Sequence, residues 1–193
     1  MHLAKFAAAL AAALSFAGSA DAALLLTTDG SPTNTVTNYS APGAVSFDLD
    51  LVNLADTSLR FEIEAQDLLG PLSLNALIRN LSGTALDAFQ FNLSGISFLS
   101  AGSVTPTFGT LGTVSYSASN AGITFASPEW AEFSFGNPLL ANGQADWLLD
   151  TRGLAAGDTF VISAEVPEPS SLALMLPALC MASLVAARRR RKG

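Results

Sequence analysis

Residues 23–165 of this 193-residue chain predict an all-β fold, an antiparallel β-sandwich of the Ig-like or jelly-roll kind. Three observations carry that prediction. Apolar and polar residues alternate with a period of two over many short runs. Gly, Asn, Ser and Pro separate those runs at intervals like those of sandwich folds. No stretch between them sustains a helical period for three turns. The best helical candidate, around Asp67 to Leu77, is broken by Gly70 and Pro71.

The runs follow in order along the chain. Val45, Phe47, Leu49 and Leu51 fall on one face, with Ser46, Asp48 and Asp50 on the other. Leu59, Phe61, Ile63 and Ala65 repeat the pattern against Arg60, Glu62 and Glu64. Leu72–Arg79 comes next, and then Phe89, Phe91 and Leu93 alternate with Gln90 and Asn92. Ile96–Leu99, Val114–Tyr116, Ile123–Phe125, Phe133–Phe135 and Phe160–Ala164 are shorter. Turn residues stand between them at 80–83, 119–122, 141–143 and 155–158. Roughly nine to eleven strands, each with one inward apolar stripe, pack best as two sheets face to face. The tetrapeptide NLSG occurs at Asn80 and Asn92, a spacing that fits a hairpin rather than a solenoid repeat.

Composition narrows the chemistry. Residues 23–165 hold three basic residues (Arg60, Arg79, Arg152) against 14 acidic ones, a net of −11, where the whole chain carries −7. That charge repels phosphate backbones and argues against a nucleic-acid partner. The only cysteine is Cys180 and the only histidine is His2, both in terminal segments. The central region therefore has no disulfide, thiol nucleophile or imidazole, which excludes a Ser-His-Asp triad and a histidine zinc site. It contains no P-loop or G-x-G-x-x-G segment, and no cofactor is expected.

Paired carboxylates remain open as a catalytic apparatus, as in glycoside hydrolysis. Glu129 and Glu132, beside Trp130, are the pair to inspect, although sparse carboxylates ordinarily cap loops or face solvent. No catalytic residue is assigned. Asp48 with Asp50, and Asp146 with Asp150, offer oxygen ligands to calcium. Neither pair lies in a D-x-D-x-D-G loop, and alternation alone puts Asp48 and Asp50 on a solvated face. No metal site is assigned either. Tyr39, Tyr116, Trp130 and Trp147 are aromatic platforms on which sugar rings could stack, and Trp130 and Trp147 are the leading glycan contacts. Against that, Trp in a sandwich is more often core or edge packing. Three N-x-S/T triplets, at Asn38, Asn80 and Asn92, are short enough to arise by chance.

Both termini look like address segments. Lys5, an apolar run from Phe6 to Phe16, and Ala20-Asp21-Ala22 form a signal helix and a cleavage site for signal peptidase within residues 1–22. The A-x-A spacing matters because only small side chains at Ala20 and Ala22 fit the peptidase. The run is also too short to span a bilayer. At the other end, residues 166–193 read VPEPSSLALMLPALCMASLVAARRRRKG. Pro167-Glu168-Pro169 is a stiff break that no helix or central strand would carry. Residues 170–187 carry no charge and, as a helix, would rise roughly 27 Å, close to the thickness of a bilayer core. Arg188, Arg189, Arg190, Arg191 and Lys192 form a basic stop that places residues 23–165 on the outer side of the membrane.

The order of these three elements resembles the PEP-CTERM sorting domain of Gram-negative bacteria that make extracellular polysaccharide. The resemblance implies that an exosortase, a membrane protease-transpeptidase, recognises Pro167, Glu168 and Pro169. The enzyme would remove the transmembrane helix during sorting to the surface or medium. The implied partners are therefore the exosortase, the membrane through the helix, and extracellular polysaccharide. The expected product is a non-enzymatic exported protein of the cell surface or matrix, structural or adhesive. A carbohydrate-binding module is the alternative, and a secreted glycosidase is a third reading. The resemblance is confined to the tail and implies nothing about the fold of residues 23–165.

Overall fold

A computed structural model describes residues 22–167. The signal segment through Asp21, with Ala20 of its cleavage site, lies outside the described residues. So do Glu168, Pro169, the predicted span 170–187 and the basic stop 188–192. Ala22 and Pro167 are the first and last described positions.

Thirteen strands are present among the described residues. They are β1 (Leu24–Gly30), β2 (Thr35–Asn38), β3 (Ala44–Leu51), β4 (Thr57–Glu62), β5 (Leu72–Asn80), β6 (Leu86–Ser94) and β7 (Ser97–Ser100), followed by β8 (Val104–Pro106), β9 (Thr110–Tyr116), β10 (Asn120–Glu129), β11 (Glu132–Phe135), β12 (Trp147–Asp150) and β13 (Thr159–Glu165). One sheet has the order β1-β4-β13-β6-β10-β9. The other runs β2-β3-β5-β11-β8, with β12 also on β5 and β7 on β12. Alternation predicts the facing well. In β3, Val45, Phe47, Leu49 and Leu51 are buried while the residues between them are part-exposed.

The buried faces meet through aromatic rings. Phe47 of β3 lies edge-on to Phe91 of β6 at 6.0 Å, and Phe91 in turn meets Phe135 of β11 at 4.9 Å. Phe89 and Phe125 both approach Phe133 edge-on, at 5.2 and 5.4 Å. Each of these pairs joins one sheet to the other, and edge-to-face rings add about 0.5–1.5 kcal/mol beyond their buried area. With no cysteine in this region, such packing holds the sheets together.

The structure corrects the sequence at four points. The second sheet is mixed rather than antiparallel, because β3 and β5 pair in parallel from Ala44 opposite Ser73 to Leu51 opposite Asn80. The chain leaves this sheet after Leu51, lays β4 in the first sheet, and returns. Two reversals leave the flanking strands pointing the same way. Ala65 is exposed, not inward, because β4 ends at Glu62 and a 3-10 helix covers Ala65–Leu69. The buried Asp67 carboxylate fixes that turn by accepting from the backbone N–H groups of Glu64 and Gly43, both at 2.9 Å. Strands β1, β2, β8 and β12 have no counterpart among the predicted runs. Finally, the short strand expected at Ile96–Leu99 runs from Ser97 to Ser100.

Candidate functional site

The outward face of the mixed sheet carries a groove enclosing about 660 Å3, within the size range of small-ligand pockets. Its floor follows from the pleat. Ser46 and Asp48 of β3 and Asn75, Leu77 and Arg79 of β5 point away from the aromatic core. Tyr39, exposed just after β2, forms one side, and the loop after β11 forms the other with Asn137, Leu139 and Leu140.

That loop is anchored to the sheet by amides. Asn75 Oδ1 accepts from the Asn137 N–H at 2.6 Å, and Asn137 Oδ1 accepts from the Ala141 N–H at 2.6 Å. Gly136 permits the close approach. Its φ is +79°, and a Cβ there would come within 2.3 Å of Asn75 Oδ1. Beyond the anchor, Leu140 adopts φ +53° and is 87% exposed. A leucine held in the left-handed region with its side chain in water is unfavourable twice over, so it stands out as a surface feature.

One guanidinium, that of Arg79, faces the cluster of carboxylates at the groove, which keeps a net negative charge. Arg79 binds Asp48 directly, reaches Asp50 Oδ1 at 2.7 Å, and lies 4.0 Å from Glu132. Burial opposes the charged guanidinium, but hydrogen bonds and charge from Asp50 and Asp48 outweigh it and raise its pKa. Asp48 and Asp50, the first candidate calcium pair, are thus engaged by an arginine on the exposed strand face. Asp146 lines the groove, whereas Asp150 belongs to a second depression of about 510 Å3 beside the 3-10 helix. There Arg152 hydrogen-bonds the Asp150 carboxylate and holds its pKa down to about 2. Among the described residues, no three His, Cys, Asp or Glu side chains converge as metal ligands.

The four aromatic candidates separate. Tyr39 lines the groove. Trp130 is 60% exposed in the tight connection between β10 and β11. Tyr116 is half-exposed at the end of β9, with its ring edge-on to Trp147 at 5.9 Å. Trp147 is fully buried, which overturns its assignment as a glycan contact. It stacks on Phe135 at 4.4 Å, meets Phe98 edge-on, and donates Nε1–H to the Ser103 carbonyl at 3.2 Å.

The two inspected carboxylates also part company. Glu129 is buried, with Oε2 accepting from the N–H groups of Phe108 and Gly109 and Oε1 from that of Ala131, at 2.8–2.9 Å. Burial pushes its pKa up, but these donors together outweigh burial and hold it below the ordinary glutamate value. Glu132 lies on the outer face beside Arg79. Both Glu129 oxygens are occupied by backbone donors, which describes a loop-fastening carboxylate rather than a general acid. Sequence reasoning missed Asn75, Asn137, Leu139 and Leu140. The adjacent leucines in a loop bounded by Pro138 and Gly143 were the one available signal.

The tail leaves the fold from β13, a central strand between β4 and β6. Val166 still packs partly on the core, and Pro167 is exposed. The Pro-Glu-Pro segment thus follows directly on a central strand of the all-β region. Residues 165–191 match the family model of the PEP-CTERM protein-sorting motif. The tail therefore carries that motif, which implies export and processing by an exosortase. No curated protein and no solved structure matches the chain.

Proposed function

We propose that the processed domain is a non-enzymatic protein of the cell surface or extracellular matrix that associates with extracellular polysaccharide. The sorting motif at residues 165–191, attached to a stably packed domain, carries this reading. In the precursor, the hydrophobic tail holds the domain at the outer side of the inner membrane until the exosortase cuts near Pro169. The cleaved domain then has a structural or adhesive role. Mass spectrometry of the C-terminus, from cells and medium with and without the exosortase, tests the route. A terminus near Pro169 that requires the enzyme is expected. Chains ending at Gly193 in both strains would overturn it.

A second reading, carbohydrate binding, is favoured by the groove beside Tyr39. An exposed ring flanked by Asn137, Asp48 and Asp146 offers an apolar platform with polar partners, the combination a pyranose uses. Exposed Trp130 stands as a separate glycan candidate. Binding of the secreted polysaccharide by the full chain should fall on Tyr39→Ala if the groove is the site. A fall on Trp130→Ala alone would move the site to the β10–β11 turn, and no binding by the unaltered chain would remove this reading.

A further inference from the structure

We propose that two copies of this chain join edge to edge through β9, pairing antiparallel about Ser115 to form one continuous sheet.

The outer strands of the two sheets differ in how they resist such pairing. β1 carries a bulge between Leu25 and Thr27 and a charge at Asp29. β2 and β7 have four residues each, and β8 has three, ending in Pro106. Short length, bulges, charge and proline all discourage a second chain from adding on. β9 has seven residues, no charge and no proline. Its pairing with β10 shifts register twice, where Gly112 and Thr113 together face Thr124 and where Ala126 is extra between Phe125 and Ser127. Both shifts lie N-terminal to Val114, so the regular run is the C-terminal half.

The register identifies which backbone groups are free there. Val114 lies opposite Ile123, Ser115 opposite Gly122, and Tyr116 opposite Ala121, while the Ser117 N–H donates to the Asn120 carbonyl. In an antiparallel ladder, bonded and non-bonded pairs alternate. Ser115 and Ser117 therefore bond toward β10, and the N–H and C=O groups of Val114 and Tyr116 point outward. A two-fold axis at Ser115 sets Val114 opposite Tyr116 of the second copy, and Tyr116 opposite its Val114. Both are outward-bonding positions, so the pairing satisfies all four groups on each strand.

Side chains agree with the backbone. Val114 and Tyr116 share a face with Ile123 and Ala121, which are buried in the core. The two edge residues are exposed only because the sheet stops there. Pairing would cover them, with an aromatic ring against a β-branched side chain, a favoured cross-strand combination. Charge favours this place over others. The domain carries a net −11, yet no charged residue occurs between Asp87 and Glu129, the stretch that supplies β9, most of β10 and nearly all of β6. Two copies repel each other least here.

Cross-linking tests it. The axis makes Ser115 face its own copy as a non-bonded pair, where Cα atoms lie about 4.5 Å apart, within disulfide range. In the full exported chain carrying Cys180→Ala, Ser115→Cys should give a disulfide dimer on a non-reducing gel. Thr27→Cys on the opposite edge reports random collision and should stay monomeric. Adding Val114→Lys to Ser115→Cys should abolish the dimer, with an unchanged melting transition showing that the domain still folds. Light scattering on the chain with its native β9 should give twice the monomer mass. A monomeric Ser115→Cys chain, or equal cross-linking of Thr27→Cys, would overturn the proposal.

Discussion

The surroundings of the two tryptophans make opposite use of the same side chain. Trp147 opens β12 on the inward half of the pleat, between the Phe135 and Phe98 rings, and its one polar atom finds the Ser103 carbonyl. Trp130 sits where the chain turns between β10 and β11, and most of its ring meets water. The core region is held by ring packing contributed by both sheets. The turn is held by a single buried carboxylate next door, Glu129, through three backbone N–H groups. Residue type says what a side chain can do, and its place in the pleat decides which of those things it does.

Truncating the core partner should show the largest effect. Trp147→Ala removes the ring between Phe135 and Phe98 and leaves a cavity where two sheets meet. A loss of about 3–5 kcal/mol is expected, read by chemical denaturation, and many such chains will not accumulate. A loss below about 1 kcal/mol would mean that the site collapses and that the tryptophan is not the keystone of that end.

Glu129 should come next. Glu129→Gln keeps the shape but offers one acceptor oxygen where two served, and brings an N–H2 group against backbone donors. About 2–3 kcal/mol should be lost at neutral pH. The pH dependence follows from the lowered pKa. Because the folded-state value lies below the unfolded one, the carboxylate stabilises fully above the ordinary glutamate range. That contribution fades as pH falls through the folded value. The stability gap between the unaltered chain and the Glu129→Gln variant should therefore narrow in acid. A gap independent of pH would show that Glu129 is not held ionised.

Much of this contrast was legible in the sequence, and the rest was not for identifiable reasons. β3 and the Phe89–Leu93 part of β6 could be read because Ser46, Asp48, Asp50, Gln90 and Asn92 each sit between two inward apolar residues. β12 could not, since Trp147, Leu148 and Leu149 are all apolar and show no period. Alternation also carries no strand direction, so the parallel β3–β5 pair was invisible. The burial of Glu129 was hidden because two of its donors, Phe108 and Gly109, lie some twenty residues earlier as plain backbone. The groove draws on positions 39, 48, 75 and 137, which come together only through the sheet order. By contrast, the sorting tail is contiguous, and its Pro-Glu-Pro, apolar run and basic stop could be read directly.

The groove lip falls between the two tryptophans in expected effect. Leu140 is exposed and in the left-handed region, so glycine there relieves backbone strain of about 1 kcal/mol while adding comparable entropy to the unfolded chain. Leu140→Gly should leave stability within about 0.5 kcal/mol. If the groove binds glycan, affinity should fall all the same, because the apolar lip is gone. Loss of stability without loss of binding would make the leucine a structural residue and free the groove from that role.

Trp130 should show the smallest effect on stability, and it gives the sharpest test of the comparison. Its ring buries little, and the turn beneath it is fastened by Glu129 rather than by the indole. Trp130→Ala should therefore shift the unfolding free energy by less than about 0.5 kcal/mol, as for ordinary surface changes. Combined with Glu129→Gln, it should add nothing beyond the single substitutions, since the carboxylate contacts backbone and not the ring. A clearly non-additive pair would mean that the indole shields the Glu129 hydrogen bonds from water. The rim would then be a second small core, and the difference between the two tryptophans one of degree.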